Sequence, residues 1–362
     1  VPADTLQATS TEETLRMPTV TAYGVTEANG NFQKLELERR DLAPNDVRIK
    51  IAYAGICHSD IHTVREEWGG IHYPMIPGHE IAGIVEEVGS DVTTFKVGDR
   101  AGVGCFVDAC GECVNCAQGW DNYCLKGNTA TYNAVDKYGA HTAGGYSTHI
   151  VVDERYTLHI PEGIALDVAA PLLCAGITMY SPLNTWKAGP GKKVAIVGLG
   201  GLGHMGVKIA AAMGAEVTIL TRSEAKRADA EALGAAHFVS TADRANLKPL
   251  RNTFDLIVNT ISAGVDVTHY LPLLRLHGAL VNVGVPTEPY SVPFGLLAGG
   301  QRSLSASGIG GIKETQEMLD FCAAHGLGAE IEVIAADQID EAYDRVVASD
   351  VRYRFVIDAA TF

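Results

Sequence analysis

Residues 193–221 read KVAIVGLGGLGHMGVKIAAAMGAEVTILT, and this stretch decides the architecture of the chain. KVAIV has the length and apolar content of a buried strand. GGLGHMGVKIAAAMG reads as a helix, and EVTILT as a second strand. Between the first strand and the helix, Gly198-Leu199-Gly200-Gly201-Leu202-Gly203 fits G-x-G-x-x-G. The pattern alone is weak, but strand–turn–helix is the setting that makes it specific. The first glycine permits the tight turn, the second lets backbone approach a pyrophosphate, and the third lets helix and strand pack closely. Phosphates then lie at the positive end of the helix. A glycine-rich turn without a ligand is the plain alternative.

The same grammar continues downstream. Helical SEAKRADAEALG (223–234) is followed by strand-like HFVS (237–240), DLIVNT (255–260), ALVNVGV (279–285) and RSLSASG (302–308). Six strands alternating with helices or loops predict a doubly wound parallel sheet. The second strand ends ILTRSEAKR (219–227), with Thr221 where an NAD site places its carboxylate. Thr221, Arg222, Ser223 and Lys226 suit a dianionic 2′-phosphate, which a carboxylate would repel, so the cofactor expected is NADP(H). The competing reading is a solvated basic helix start. Upstream, short β runs at 47–55, 81–89 and 146–154 are separated by turns, as in a bent β domain. The tail adds helices at 313–326 and 338–349 and strands at 330–335 and 354–358. It is too short for a core of its own and is expected to pack back on the first domain.

CGECVNCAQGWDNYC (110–124) places Cys110, Cys113, Cys116 and Cys124 in 15 residues with C-x2-C-x2-C-x7-C spacing. Four thiolates complete the shell of a structural zinc. A second donor set is dispersed: Cys57 in GICHSDIH (55–62), the pair His79-Glu80 in PMIPGHEIAG (74–83), and Cys174 in APLLCAGIT (170–178). Three protein ligands with one exchangeable oxygen position is the pattern of a catalytic zinc. Each residue taken singly is more often core packing. Cys-x-x-Cys spacing in a chain of this size favours metal over disulfides, and with it a reducing compartment, the cytoplasm.

The chain has 362 residues and a formal net charge of −15, which argues against general affinity for nucleic acid or anionic membrane. No apolar stretch is long and uncharged enough to span a bilayer. Residues 1–16, VPADTLQATSTEETLR, are polar and read as an extension or expression remnant ahead of Met17.

GHE at 78–80, the four-cysteine lobe, GLGGLG and CHSDIH together resemble the zinc-containing medium-chain alcohol dehydrogenases. LLCAGIT and VRYRFVID point to their cinnamyl-alcohol dehydrogenase-like branch. The likeness runs from about Met17 to Phe362. It implies an α/β fold: a bent β-rich, GroES-like catalytic domain (17–165 and 306–362) with a Rossmann NADP-binding domain (166–305) inserted. It assigns a catalytic zinc to Cys57, His79 and Cys174 and a structural zinc to the cysteine lobe, two per chain. Glu80 is implied to approach the metal during ligand exchange, and Asp60 to orient the histidine ligand. Ser59 and His62 match the proton relay, with His58 and His72 as nearby competitors. Thr178 is implied to contact the nicotinamide. Thr260, Gly284, Gly311, Ile312 and Lys313 are expected to line the cofactor cleft, and Arg352 or Arg354 to reach pyrophosphate. Trp68, Cys105, Phe106 and Ile312 occupy positions that line the substrate pocket in relatives; each could equally be core, and Trp120 is read as structural.

The resemblance implies reversible interconversion of primary alcohols and aldehydes, aromatic or medium-chain, by a homodimer. Three rivals are weighed at this point, of which a zinc-free quinone reductase of the same superfamily would lack the cysteine lobe and the Cys57/His79 pair. A polyol dehydrogenase shares the architecture but commonly replaces the third thiolate with a carboxylate. A non-catalytic NADPH-sensing protein would keep only the structural metal.

Overall fold

In the computed structural model, which describes residues 19–286 and 288–362, Lys193–Val197 is the central strand of a six-stranded parallel sheet. The spatial order is His237–Ser240, Glu216–Thr221, Lys193–Val197, Phe254–Asn259, Leu274–Asn282 and Ser303–Ala306. In chain order that is 3-2-1-4-5-6, the doubly wound arrangement whose ligand crevice opens where the order reverses. Val194, Ala195, Ile196 and Val197 are all fully buried, as a strand covered on both faces requires. The reading of residues 1–16 and Met17 falls outside the described residues.

A second, seven-stranded sheet carries the rest. Its long strand Asp46–Gly55 pairs antiparallel with Ile81–Val88, with His149–Asp153, and with the tail strand Arg354–Asp358. The tail therefore returns to this seven-stranded sheet, with Arg354 meeting Glu80 from 274 residues away along the chain. Helix Ala175–Thr185 lies between the two sheets' cores. It approaches helix Gly201–Ala212 where Gly206 leaves room only for the Met179 methyl, and helix Ile312–Ala324 where Gly176 faces Met318. One end of this shared helix is Cys174.

The helix expected over 223–234 differs in detail. Glu224–Lys226 forms a 3-10 turn and the α-helix is limited to Arg227–Ala232. Lys226 bends back to donate to the Leu199 carbonyl (2.7 Å), which tightens the first turn. The strand expected from Tyr146 begins at His149, because residues 146–148 bond instead to strand Thr19–Gly24, through Tyr23 N–H to the Tyr146 carbonyl (2.8 Å) and Thr148 N–H to the Thr21 carbonyl (2.9 Å).

Candidate active site and metal centres

The edge of the long strand places the first donors. Gly55 ends it, and no side chain fits there because a Cβ would collide with Glu80 Oε2. Cys57 then caps helix His58–Val64, and His79-Glu80 immediately precede strand Ile81–Val88. Cys174 enters from the start of helix Ala175–Thr185. Ligand atoms of Cys57, His79, Glu80 and Cys174 lie within 4.8 Å of one another, and all four residues are buried. The Cys57 and Cys174 sulfurs are 3.7 Å apart. Two thiolates at about 2.3 Å from one tetrahedral zinc stand about 3.8 Å apart, so the donor set fits that ion.

Asp60, fully buried, organises this set. Its Oδ2 accepts from the Cys57 N–H (2.8 Å), and its Oδ1 accepts from the Gly78 N–H (3.1 Å) and faces His79 Nδ1 at 3.2 Å. Tyr132 Oη lies 3.3 Å from the same nitrogen. With Nδ1 engaged here, Nε2 is left as the metal-facing lone pair. Burial opposes protonation of His79, but Asp60 more than offsets it and holds the imidazole well above its ordinary value. The hydrogen bond with Cys174 holds the Cys57 thiol well below its ordinary value, despite burial. Cys174 is pushed up by its hydrogen bonds with Cys105 and Cys57. A buried thiolate of this kind calls for a cation.

Glu80 is also fully buried. Burial pushes it up to about 7 even against Arg354, with which it forms a closed ion pair. Arg354 is raised in turn: burial disfavours its charge but Glu80 outweighs that, and a guanidinium does not release its proton. Glu80 Oε2 has no protein partner. A buried carboxylate oxygen in that state needs a ligand or water, and the metal set is beside it.

Ser59 and His62 lie on one helix, three residues apart, on the same face. His62 Nδ1 is hydrogen-bonded to Glu67, a residue that sequence reading missed. The signal was faint: Glu66 adopts φ 58 and folds the chain back, and Glu67 N–H bonds to the His62 carbonyl. Trp68 is half-exposed with its ring 5.1 Å from that of His62, so it stands at the mouth of this path. Burial, with His62 adding, draws His58 below its ordinary value; His72 is exposed and stacks on His141 at 3.7 Å, away from the donor set.

On the nucleotide side, Gly198 has φ 94, and Gly203 packs against the Gly198 carbonyl with no space for a Cβ. Gly200 caps the helix that Gly201 begins. The side chains of Leu199 and Leu202 belong to the core, so what they offer a ligand is backbone. Thr260 donates to the Val197 carbonyl (2.8 Å), and Gly284 packs on Ile261, at the carboxyl ends of adjacent strands. Thr178 is one turn along from Cys174. Thr221 ends its strand buried, with Arg222 and Ser223 exposed beside it and Lys226 folded over the glycine turn. Of the two arginines considered for pyrophosphate, Arg352 is engaged by Asp229 (2.8 Å), whereas Arg354 lies beside Gly201.

The 311–313 stretch also meets the cysteine lobe. Gly311 packs against the Gly119 carbonyl and Lys313 runs along Gly119, so both serve the contact with the cysteine lobe. Of the three, only Ile312 lines the small cavity shared with Cys105, Phe106, Leu173 and Ile177. Phe106 is itself almost wholly buried and packs edge-on to Tyr156.

In the lobe, Cys110, Cys113, Cys116 and Cys124 bring their sulfurs within 4.8 Å of one another, with Cys116 3.4 Å from Cys113 and 3.9 Å from Cys110. Backbone N–H groups of Cys116 and Leu125 draw Cys113 down to about 6. Burial pushes Cys116 up to about 12. Four converging sulfurs solvated by amides fit a closed zinc site.

Residues 43–162 match the family model described as an alcohol dehydrogenase GroES-like domain, and residues 201–324 match that of a zinc-binding dehydrogenase. The chain is 58% identical over 346 residues to an NADP-dependent alcohol dehydrogenase of Mycolicibacterium smegmatis, covering 95% of this chain and 99% of that one. Among solved structures, a cinnamyl alcohol dehydrogenase of Sorghum bicolor superposes with a TM-score of 0.92 at 43% identity, covering 95% and 98% of the two chains. A CAD from Helicobacter pylori complexed with NADP(H) superposes with a TM-score of 0.89 at 43% identity, covering 94% and 98% of the two chains.

Proposed function

Because the chain belongs to the zinc-binding medium-chain alcohol dehydrogenases, we propose that it is an NADP(H)-dependent enzyme interconverting alcohols and aldehydes by hydride transfer. The convergence of Cys57, His79 and Cys174 on one buried point, beside the nucleotide turn, carries the reading. When bound there, zinc supplies a Lewis acid for the substrate oxygen and NADP(H) supplies or accepts the hydride.

The chain's own groups do the rest. Asp60 fixes the His79 ring and the Cys57 backbone, so the ligand set is preorganised. Glu80, held by Arg354, is the carboxylate available when a ligand exchanges. In aldehyde reduction the Ser59 hydroxyl gives a proton to the product oxygen, and His62 resupplies it from solvent. Glu67 holds the His62 ring in place and balances its charge while it carries the proton. Gly198–Gly203, Thr260, Gly284 and Thr178 form the cofactor crevice, with Thr221, Arg222, Ser223 and Lys226 at its 2′-phosphate end.

Finer assignments belong to the same proposal. Cys105, Phe106, Ile312 and Trp68 present an apolar, aromatic surface suited to primary aromatic or medium-chain aldehydes. The cysteine lobe holds a second, structural zinc. The catalytic unit comprises residues to about 165 and from about 306, with the nucleotide unit between. Edge strand Ser303–Ala306, with exposed Leu276, Val285 and Phe294 nearby, is suited to a homodimer contact. Buried, unpaired thiols suit the cytoplasm; among the described residues no single helix is long and apolar enough to cross a membrane. The test is reduction of benzaldehyde, cinnamaldehyde, short aliphatic aldehydes and sugars with NADPH and with NADH. Turnover of aromatic aldehydes with NADPH is expected; activity confined to sugars or to NADH would overturn the reading.

A further inference from the structure

The cysteine lobe is tied to more than its own sulfurs. Tyr123 Oη accepts from the Gly308 N–H (3.0 Å), and Asn122 Nδ2 donates to the Gly308 carbonyl (2.9 Å). Both backbone groups of one glycine, just beyond the last strand of the parallel sheet, are thus held by lobe side chains. Three residues on, Gly311 is pressed against the Gly119 carbonyl of the same lobe. Between these anchors Ile309 adopts φ 44. A β-branched residue avoids this region, and such a conformation persists only where its surroundings impose it. Ile309, Gly310 and Ile312 then form one wall of the cavity that Cys105, Leu173 and Ile177 complete; Leu173 precedes Cys174 in the chain, and Cys105 hydrogen-bonds to the Cys174 thiol.

We propose that Asn122 and Tyr123 are positioning residues for the reaction: by clamping Gly308 they fix the Ile309–Gly310 wall against the catalytic metal set. The inference rests on that set being the active site. Without the clamp Ile309 relaxes toward negative φ and the wall moves, while metal ligands, relay and nucleotide turn keep their own supports. Affinity for the aldehyde then falls because the cleft is no longer preorganised.

The test is aldehyde reduction by the fully metal-loaded enzyme carrying Tyr123→Phe or Asn122→Ala, with metal content and Tm measured alongside. Tyr123 is 45% exposed, so the phenylalanine variant is expected to fold. Each variant should raise the aldehyde KM roughly three- to tenfold, the equivalent of one hydrogen bond, with kcat and metal content little changed. Combined, they should cost less than the product of the two, because both hold the same glycine. In an Ile309→Asn background, where left-handed φ is tolerated, the effect of Tyr123→Phe should shrink. A purely structural role would lower Tm and leave KM at the wild-type value in both variants, and that result overturns the proposal. Wild-type protein lacking turnover would instead overturn the active-site assignment.

Discussion

Replacing Asp60 by asparagine probes the organisation of the reactive metal set with minimal change of shape. The carboxylate serves the Cys57 N–H at 2.8 Å through one oxygen, and the Gly78 N–H at 3.1 Å and His79 Nδ1 at 3.2 Å through the other. An asparagine has one oxygen, so its amide must face at least one buried donor. Turning the amide toward Cys57 costs one bond; turning it toward Gly78 and His79 costs two, so the former orientation is preferred. A lost bond with its donor left buried costs about 1–3 kcal/mol of stability. Loss of the anionic partner of a ligand histidine weakens metal binding about 10- to 100-fold. Asp60 touches nothing in the cysteine lobe, so the structural metal should be retained. Chelator titration of wild type and Asp60→Asn, counting zinc equivalents at each step, separates the sites. The variant should release one equivalent at 10- to 100-fold lower chelator and the other unchanged. Equal retention of both equivalents with wild-type turnover would refute the reasoning.

Other outcomes follow from the same geometry. Thr221→Asp combined with Arg222→Ala places a carboxylate at the 2′-phosphate end and should shift the kcat/KM preference from NADPH toward NADH; an unchanged ratio places the phosphate contact elsewhere. Glu67→Gln should lower kcat more than KM at constant metal content, because it leaves the His62 charge unbalanced; a wild-type kcat would remove Glu67 from the path. Burial, with Arg354 nearby adding, draws His204 down to about 3, so it stays neutral in the fold. The unfolded chain takes up that proton below about pH 6.5 and the folded chain does not, so this residue makes stability fall as pH drops from about 6.5 toward 3. His204→Gln should flatten that loss by up to about 1.4 kcal/mol per pH unit, read from urea midpoints at pH 7, 6 and 5; parallel slopes would contradict it.

What could be read before folding was what the chain writes locally. The glycine turn, the six strands of the parallel sheet and the four-cysteine spacing each lie within a short window whose periodicity or ligand chemistry is self-contained. Cys57, His79 and Cys174 are distant in sequence, and only their combination with the cysteine lobe and the family resemblance marked them as a set. Contacts without local signature were not legible. Arg354 could be named only as one of two candidates, since its pairing with Glu80 depends on the tail strand joining the seven-stranded sheet. Glu67 meets His62 through a left-handed turn at Glu66 that composition does not announce. Gly311 and Lys313 were expected at the cofactor cleft from the family resemblance alone; that they also meet the cysteine lobe is decided by packing at Gly119.

Zinc stoichiometry measured together with NADPH oxidation on one purified sample tests the central claim most directly. The account predicts two equivalents per chain, aldehyde-dependent NADPH oxidation, and, for Cys174→Ala, one equivalent with turnover abolished. Full activity in Cys174→Ala, or a wild-type enzyme that reduces aldehydes with a single equivalent held only by the cysteine lobe, would contradict it.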